Sequence, residues 1–263
     1  MRKICFIAAL GVLLLPALAS AQSPLNGTWK TDMSKVDFSK KPDVYVLKDG
    51  MYSCTTCTPP YNVKADGSDQ KITGDPYRDT IAFKVINDHE IEETDKKNGK
   101  VVGTSKITLS PDGNTLKFEF TDSSNTSGAP VTGKGEATRV AKGPAGSAPI
   151  SGSWRMAKMD SLSDNAVTVT YKVSGDEITM TNPTGQSYTA KLDGSDAPMK
   201  GDPGVTSVSV KMMGKNTLEE TDKRDGKVIG VFKATVQSDG KTINATYDDK
   251  QSGRTTKWTM AKQ

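Results

Sequence analysis

The sequence predicts an all-β protein made of two tandem antiparallel up-and-down β-barrels joined by a short Gly/Pro/Ala linker. Three observations lead to this fold class: a long internal repeat, apolar residues that alternate with period two, and turn-forming dipeptides between the alternating runs. The chain has 263 residues, of which 34% are hydrophobic. It is therefore long enough for two domains that each bury a core.

The internal repeat spans most of the chain. Residues 92–103 return as residues 219–230 with nine of twelve positions identical. A short motif at the beginning of each copy also recurs, as Gly27-Thr28-Trp29 and Gly152-Ser153-Trp154. This repeat unit is much longer than that of a solenoid, so each copy is expected to fold around its own core.

The two copies are separated by residues 142–149, which are small or polar and include two prolines. This composition is typical of a linker. The sequence therefore predicts a first barrel domain at 22–141 and a second at 150–263.

Within each copy the apolar pattern is that of half-buried strands. Ile81, Phe83 and Val85 occupy alternate positions, and their counterparts in the second copy keep the same phase. Dipeptides such as Asn98-Gly99 and Asp225-Gly226 supply the positive φ angles that tight hairpins require. Roughly eight or nine short strands are expected in each copy, and closing the sheet into a barrel removes its exposed edges.

Residues 1–21 have the pattern of a secretory signal peptide. Arg2 and Lys3 precede an apolar run, and Ala19-Ser20-Ala21 is a small-residue cleavage sequence. Cleavage before Gln22 would give an exported protein, periplasmic or secreted, that is soluble once the peptide is removed. No later stretch reaches the roughly 18 apolar residues of a membrane span.

The distribution of charge argues against nucleic-acid binding. The formal net charge of +4 falls to +2 without Arg2 and Lys3, and the other basic residues are interleaved with acidic ones rather than gathered in a stripe. Two acidic clusters, 92–95 and 219–222, precede hairpin turns. They are interpreted as solubilising charge at strand edges, with acid–base chemistry or calcium binding as alternatives.

The two Gly-x-Trp motifs, each followed by a predicted meander with short turns, resemble the first strand of lipocalin-like proteins of the calycin group, especially small exported bacterial members of unassigned function. The resemblance implies a cup for a small, often apolar ligand. It also implies that Trp29 and Trp154 close one end of each barrel and that Arg139 packs across such a ring. Three basic residues of the second copy could take the place of Arg139: Arg254, Lys257 and Lys262.

Five positions in the predicted strands are candidates for lining such a cup. Two rings of the first copy become smaller side chains in the second copy, whereas one serine of the first copy becomes a ring. Either a larger void in the second barrel or compensating repacking would follow. The candidate cavity residues are Phe83, Phe118, Val210, Phe232 and Ala245.

Cys54 and Cys57 break the repeat, because the second copy has no cysteine. In an exported protein such a pair is expected to form a disulfide bond that fixes a local turn, with a redox role or metal binding as alternatives. Two thiols and His89, the one histidine of the chain, are fewer than the four ligands of a closed zinc site. No metal site is therefore predicted.

The resemblance and the signal-peptide pattern together predict non-enzymatic binding or transport of a small apolar or amphipathic ligand. No catalytic residue and no cofactor are predicted. Two alternatives stay open: an interaction scaffold with filled barrels that contacts a protein partner, and a redox role of Cys54 and Cys57.

Overall fold

The computed structural model describes residues 23–263, so the predicted signal peptide at 1–21 lies outside the described residues. The strands form two antiparallel ten-stranded sheets, which confirms the predicted all-β class with two barrels. The helical elements of this part are a 3₁₀ turn at Met33–Lys35 and a short helix at Asp164–Val167. No helix within the described range is long and apolar enough to cross a membrane.

The strands are numbered along the chain, beginning with β1 (Gly27–Thr31). Barrel 1 is the sheet formed by β2 (Asp43–Lys48), β3 (Met51–Cys54), β4 (Tyr61–Lys64), β5 (Gln70–Lys71), β6 (Thr80–Asn87), β7 (Glu90–Lys97), β8 (Lys100–Leu109), β9 (Thr115–Asp122), β10 (Val131–Lys142) and β11 (Gly152–Leu162). Barrel 2 is the sheet formed by β1 with β12 (Thr168–Ser174), β13 (Glu177–Thr181), β14 (Ser187–Lys191), β15 (Asp193–Pro198), β16 (Ser207–Met212), β17 (Thr217–Arg224), β18 (Lys227–Val236), β19 (Thr242–Asp249) and β20 (Arg254–Lys262).

Both sheets are meanders that nearly close. The order is β4-β3-β2-β11-β10-β9-β8-β7-β6-β5 in barrel 1 and β14-β13-β12-β1-β20-β19-β18-β17-β16-β15 in barrel 2. The turns at Asn98-Gly99 and Asp225-Gly226 have positive φ at both residues, as their sequences predict. In barrel 2, a bridge between Ser187 and Lys200 connects the two ends of the sheet.

The first strand of each sequence repeat lies in the barrel of the other repeat. β1 pairs with β12 on one side and with β20 on the other, so Trp29 is part of barrel 2. β11 pairs with β10 and β2, so Trp154 is part of barrel 1. The barrels therefore differ from the domains expected at 22–141 and 150–263. β1 of the first expected domain lies in barrel 2, and β11 of the second lies in barrel 1.

The short connection between β10 and β11 explains the exchange. Residues 143–151 join the two strands, and the pairing of Lys142 with Gly152 closes them into a hairpin. A short connection between consecutive antiparallel strands places the second strand beside the first. β11 therefore joins barrel 1, and β1, which carries the same Gly-x-Trp motif, takes the corresponding place in barrel 2.

Two segments cross between the barrels as a result. Residues 32–42 lead from β1 to β2, and residues 163–167 lead from β11 to β12. Polar contacts also join the barrels: Arg254 Nη2 lies 2.5 Å from Asp43 Oδ1. Since each barrel holds a strand of the other repeat, the two barrels form one interlocked unit.

Each barrel has its own hydrophobic core, and the exchanged tryptophan is among the most buried residues of each core. Trp29 is fully buried, and its indole N–H donates to the carbonyl of Leu25 at 2.8 Å. Trp154 is 1% exposed and donates to the carbonyl of Ile150 at 3.1 Å. The repeats thus keep the same local structure, each in the barrel of the other.

Replacing either tryptophan by alanine tests the exchange. Loss of a buried indole costs about 3–5 kcal/mol, and this cost falls on the barrel that contains the ring. We expect hydrogen exchange of Trp29→Ala to show lost protection in 168–262, and that of Trp154→Ala to show it in 43–142. Reversal of the two effects would contradict the exchange.

Candidate functional site

Barrel 2 contains a cavity of about 430 Å³ that is open to solvent on one side. Its wall is formed mainly by β12, β13 and the four strands from β17 to β20. Most of the wall is apolar, and a volume of this size is typical of small-molecule sites. The larger apolar side chains of the wall are Tyr171, Met180, Phe232, Trp258 and Met260.

The two segments that cross between the barrels also contribute to this cavity. Met33 and Val36 follow β1 and line it from one side. Ala166 and Val167, from the short helix before β12, line it from another. The strand exchange therefore completes the wall of the cavity as well as the sheet.

One of the three predicted cavity residues of barrel 2 lines this space. Phe232 stacks on Trp258 with ring centroids 5.8 Å apart, and both rings face the cavity. Val210 and Ala245 are buried in the core of barrel 2 and lie outside the lining.

Barrel 1 has stacked rings in its core and hollows with polar walls. One hollow, of about 500 Å³, is lined mainly by polar residues of β7 to β10. Phe83 is fully buried and stacks on Tyr52 with centroids 4.0 Å apart. Phe118 lines a small apolar cavity of about 180 Å³ next to Trp154. A second hollow, of about 320 Å³, is lined largely by polar groups around Arg78. The larger apolar cavity is therefore in barrel 2.

In barrel 1, Arg78 neutralises half-buried carboxylates. Its Nη1 lies 2.7 Å from Glu93 Oε1 and 2.6 Å from Asp95 Oδ1, and its Nε lies 3.0 Å from Asp75 Oδ2. Ser105 also donates to Glu93 at 3.1 Å. Burial lowers the pKa of Arg78, but the attraction of Glu93 and Asp95 outweighs this effect and raises the pKa above its ordinary value. The guanidinium is therefore held as a cation.

Barrel 2 keeps both carboxylates at the equivalent positions of β17, as Glu220 and Asp222. The repeat offset places Val205 where barrel 1 has Arg78 and Phe232 where barrel 1 has Ser105. Both polar partners of the carboxylate pair are thus replaced by apolar residues.

The carboxylate pair of barrel 2 has few partners and is deeply buried. Glu220 and Asp222 are each 7% exposed, and both line the cavity. Tyr188 donates a hydrogen bond to Glu220 Oε2 at 2.5 Å. Asp222 Oδ1 is buried and has no hydrogen-bond partner among the described residues. Such an oxygen carries the full cost of losing its hydration.

Burial changes the protonation of this pair. It raises the pKa of Glu220 to about 8, aided by repulsion from Asp222 and opposed by the Tyr188 hydrogen bond. Burial also raises the pKa of Asp222, against hydrogen bonds with Glu220 and Tyr247. Glu220 therefore holds a proton near neutral pH, and burial disfavours the charged form of both carboxylates.

The interpretation of the acidic clusters as solubilising edge charge is wrong for two residues of each cluster. Leu218, Glu220 and Asp222 alternate along β17 and share its buried inner face. Glu219 faces outward and pairs with Lys211 at 2.9 Å. Two features of the sequence indicate this inward direction. The carboxylates lie two and four residues after the apolar Leu218, and the arginine that pairs with them in the first repeat is absent from the second.

Arg139 packs across a first-strand tryptophan, and that tryptophan belongs to the other repeat. Its guanidinium carbon lies 4.0 Å from the Trp154 ring centroid, and its Nη1 donates to the carbonyl of Ser151 at 2.6 Å. Lys262 Nζ lies 5.2 Å from the Trp29 ring centroid, and it is one of the three basic residues considered for that place. The exchange of β1 and β11 accounts for both pairings.

Cys54 and Cys57 form a disulfide bond, with Cα atoms 5.5 Å apart, between β3 and β4. Cys54 is fully buried. Reactive cysteine pairs usually lie at the beginning of a helix, whereas this pair follows a strand, which favours a structural bond. In barrel 2 the strand register puts the cavity residue Met180 at the place of Cys54.

His89, the remaining candidate ligand, is exposed on barrel 1. Within residues 23–263 no group of three or more His, Cys, Asp or Glu side chains is placed to hold a metal ion.

No known protein-family pattern matches the chain, and no curated protein matches it either.

The raised pKa of Glu220 predicts a pH-dependent stability. The folded protein holds this proton up to about pH 8, while the ordinary pKa is 4.5. The associated stabilisation is therefore complete below about pH 4.5 and is lost as the pH rises to about 8. In the wild type, the free energy of unfolding measured in urea should therefore be higher at pH 5 than at pH 8. We expect Glu220→Gln to reduce this difference by on the order of a few kcal/mol.

Glu219→Gln, on the outer face of the same strand, is the matched control. It should leave the pH dependence between pH 5 and pH 8 unchanged, because Lys211 and Lys233 lower the pKa of Glu219. A Glu220→Gln variant that keeps the wild-type pH dependence would show that the buried pair holds no extra proton.

Proposed function

We propose that the protein is an exported, non-enzymatic carrier of the lipocalin-like type that binds a small amphipathic molecule in barrel 2. The observation that carries this proposal is the open cavity of about 430 Å³ with an aromatic wall. Apolar walls bury the body of a ligand, and a few polar groups fix its orientation. Glu220 and Asp222 are such polar groups here.

The fold and the ends of the barrels support the lipocalin-like part of the proposal. The up-and-down meander, the Gly-x-Trp motif on the exchanged strands and the basic side chains over Trp29 and Trp154 match what the resemblance implies. The signal-peptide pattern at 1–21 and the disulfide bond support export, because disulfide bonds persist in oxidising compartments.

The alternative function, that of a scaffold, applies to barrel 1 and not to barrel 2. The Arg78 ion pairs and the aromatic stack around Phe83 take up part of its interior, and its larger hollows have polar walls. We propose that barrel 1 supports the site by anchoring the two crossing segments that line the cavity of barrel 2.

Native mass spectrometry of the chain exported to a bacterial periplasm tests the carrier function. We expect a retained mass of roughly 100–500 Da, the size that a cavity of this volume accommodates, and its loss on denaturation. Met180→Trp adds a ring to the cavity and should abolish retention. Met156→Trp, at the small cavity of barrel 1, is the matched control and should keep the retained mass.

The carrier proposal fails if the wild-type chain retains no molecule and a screen of lipid extracts also finds no saturable binding. It also fails if Met180→Trp, shown by circular dichroism to be folded, retains the same mass as the wild type.

A further inference from the structure

Barrel 1 shows which chemical group pairs with the carboxylates at these repeat positions. Glu93 and Asp95 both contact Nη1 of Arg78, within 2.7 Å. The ring of Tyr61 lies beside the guanidinium, 5.8 Å from its central carbon. The carboxylates and the aromatic ring together form a pocket for an organic cation, and the chain fills this pocket with its own side chain.

Barrel 2 keeps the acidic and aromatic residues of this pocket without the internal cation. Glu220, Asp222 and Tyr188 stand at the repeat positions of Glu93, Asp95 and Tyr61, while the arginine has become Val205. The unpartnered oxygen of Asp222 belongs to a side chain more than nine-tenths buried, which lines the open cavity.

We propose that the cavity of barrel 2 binds an amphipathic organic monocation, a primary ammonium or guanidinium group attached to an apolar body. The cationic group takes the place that the Arg78 guanidinium has in barrel 1 and pairs with Asp222 and Glu220. The apolar body lies against Phe232, Trp258 and neighbouring residues of the wall. This inference rests on the proposed carrier function and specifies the chemistry of the ligand.

The charge at the site favours a single positive charge. A buried anion is stable only when it is paired and hydrogen-bonded, and the polar groups described near this pair are acids, phenols or amides. An anionic ligand would add repulsion, and a neutral one would leave the charge of the pair uncompensated. The ionisable neighbours of the carboxylate pair are Tyr171, Tyr188, Asp202 and Tyr247.

Asp202 cannot supply the missing compensation, because it is itself an acid with other partners. Tyr77 donates to its Oδ1 at 2.8 Å, and Gln186 donates to its Oδ2 at 2.7 Å. Its counterpart in barrel 1, Asp75, instead contacts Arg78. The acidic residues are thus kept in both barrels, whereas the arginine and the serine that contact them in barrel 1 are replaced.

The aromatic wall favours an ammonium or guanidinium with an apolar body over a simple inorganic ion. Tyr171, Phe232, Tyr247 and Trp258 face the cavity, and aromatic faces attract organic cations while also burying hydrocarbon. A ligand with both parts satisfies the carboxylate pair and the apolar wall together.

Three probes of equal chain length separate the charge of the ligand from its apolar body: n-octylamine, 1-octanol and octanoate. Their binding to the full mature chain is measured by isothermal titration calorimetry at pH 7. We expect n-octylamine to bind with one-to-one stoichiometry and about tenfold or more tighter than 1-octanol, because bonds to a charged group are the stronger ones. Octanoate should bind most weakly.

Asp222→Asn removes the charge and keeps the shape of the side chain. It should weaken the binding of n-octylamine about tenfold and leave the binding of 1-octanol unchanged. Glu219→Gln, on the outer face of the barrel, should change the binding of neither probe. Val205→Arg should give barrel 2 an internal cation like that of barrel 1. It should therefore abolish n-octylamine binding and raise the unfolding midpoint at pH 8.

Each other outcome overturns a defined part of the account. Equal binding of n-octylamine and 1-octanol, with no effect of Asp222→Asn, would overturn the cation inference and leave the carrier function in place. Binding of no probe by a folded wild-type chain would also overturn the cation inference, and the native mass spectrum and the lipid-extract screen decide separately on the carrier function. A Val205→Arg variant that is less stable at pH 8 would show that the two pockets are not equivalent.

Discussion

The structure depends on the pairing of each barrel with a strand that belongs to the other repeat. β1 completes barrel 2 between β12 and β20, and β11 completes barrel 1 between β10 and β2. The short hairpin connection at 143–151 makes β11 the neighbour of β10, and the backbone groups along β12 and β20 are then satisfied by β1. A strand with open edges on both sides would be costly and prone to aggregation. The exchange removes this problem for both barrels and makes their folding mutually dependent.

The exchange also links the architecture to the site. The segments that cross between the barrels line the cavity of barrel 2, so the two barrels form one structural unit. Within this unit the repeats have diverged in a small number of side chains. An arginine and a serine around a buried carboxylate pair have become Val205 and Phe232. The result is an ion-paired cluster in barrel 1 and an acidic pair without a cation facing an open cavity in barrel 2.

Much of the fold could be predicted from the sequence because it follows from local patterns. Period-two alternation and the Asn-Gly and Asp-Gly turns identify the meanders, and the repeat identifies two barrels. The exchange could not be predicted, since both copies begin with the same motif and either strand fits either barrel. For the site, Phe118 and Phe232 line cavities, whereas Val210 and Ala245, where the smaller side chains suggested the larger void, are buried in the core. The acidic pair was missed because charged residues before a hairpin turn usually face solvent, and their inward direction depends on the strand register.

Cleavage of the chain between the repeats tests the strand exchange most directly. A specific protease site placed in the exposed part of the 143–149 loop lets the folded protein be cut after purification, without denaturant. With exchanged strands, each fragment holds one strand of the other fragment's barrel, so native mass spectrometry should show both fragments in a single particle that separates only on unfolding. Two barrels that each contain their own first strand would instead separate on cutting into two folded fragments, and this result would contradict the account.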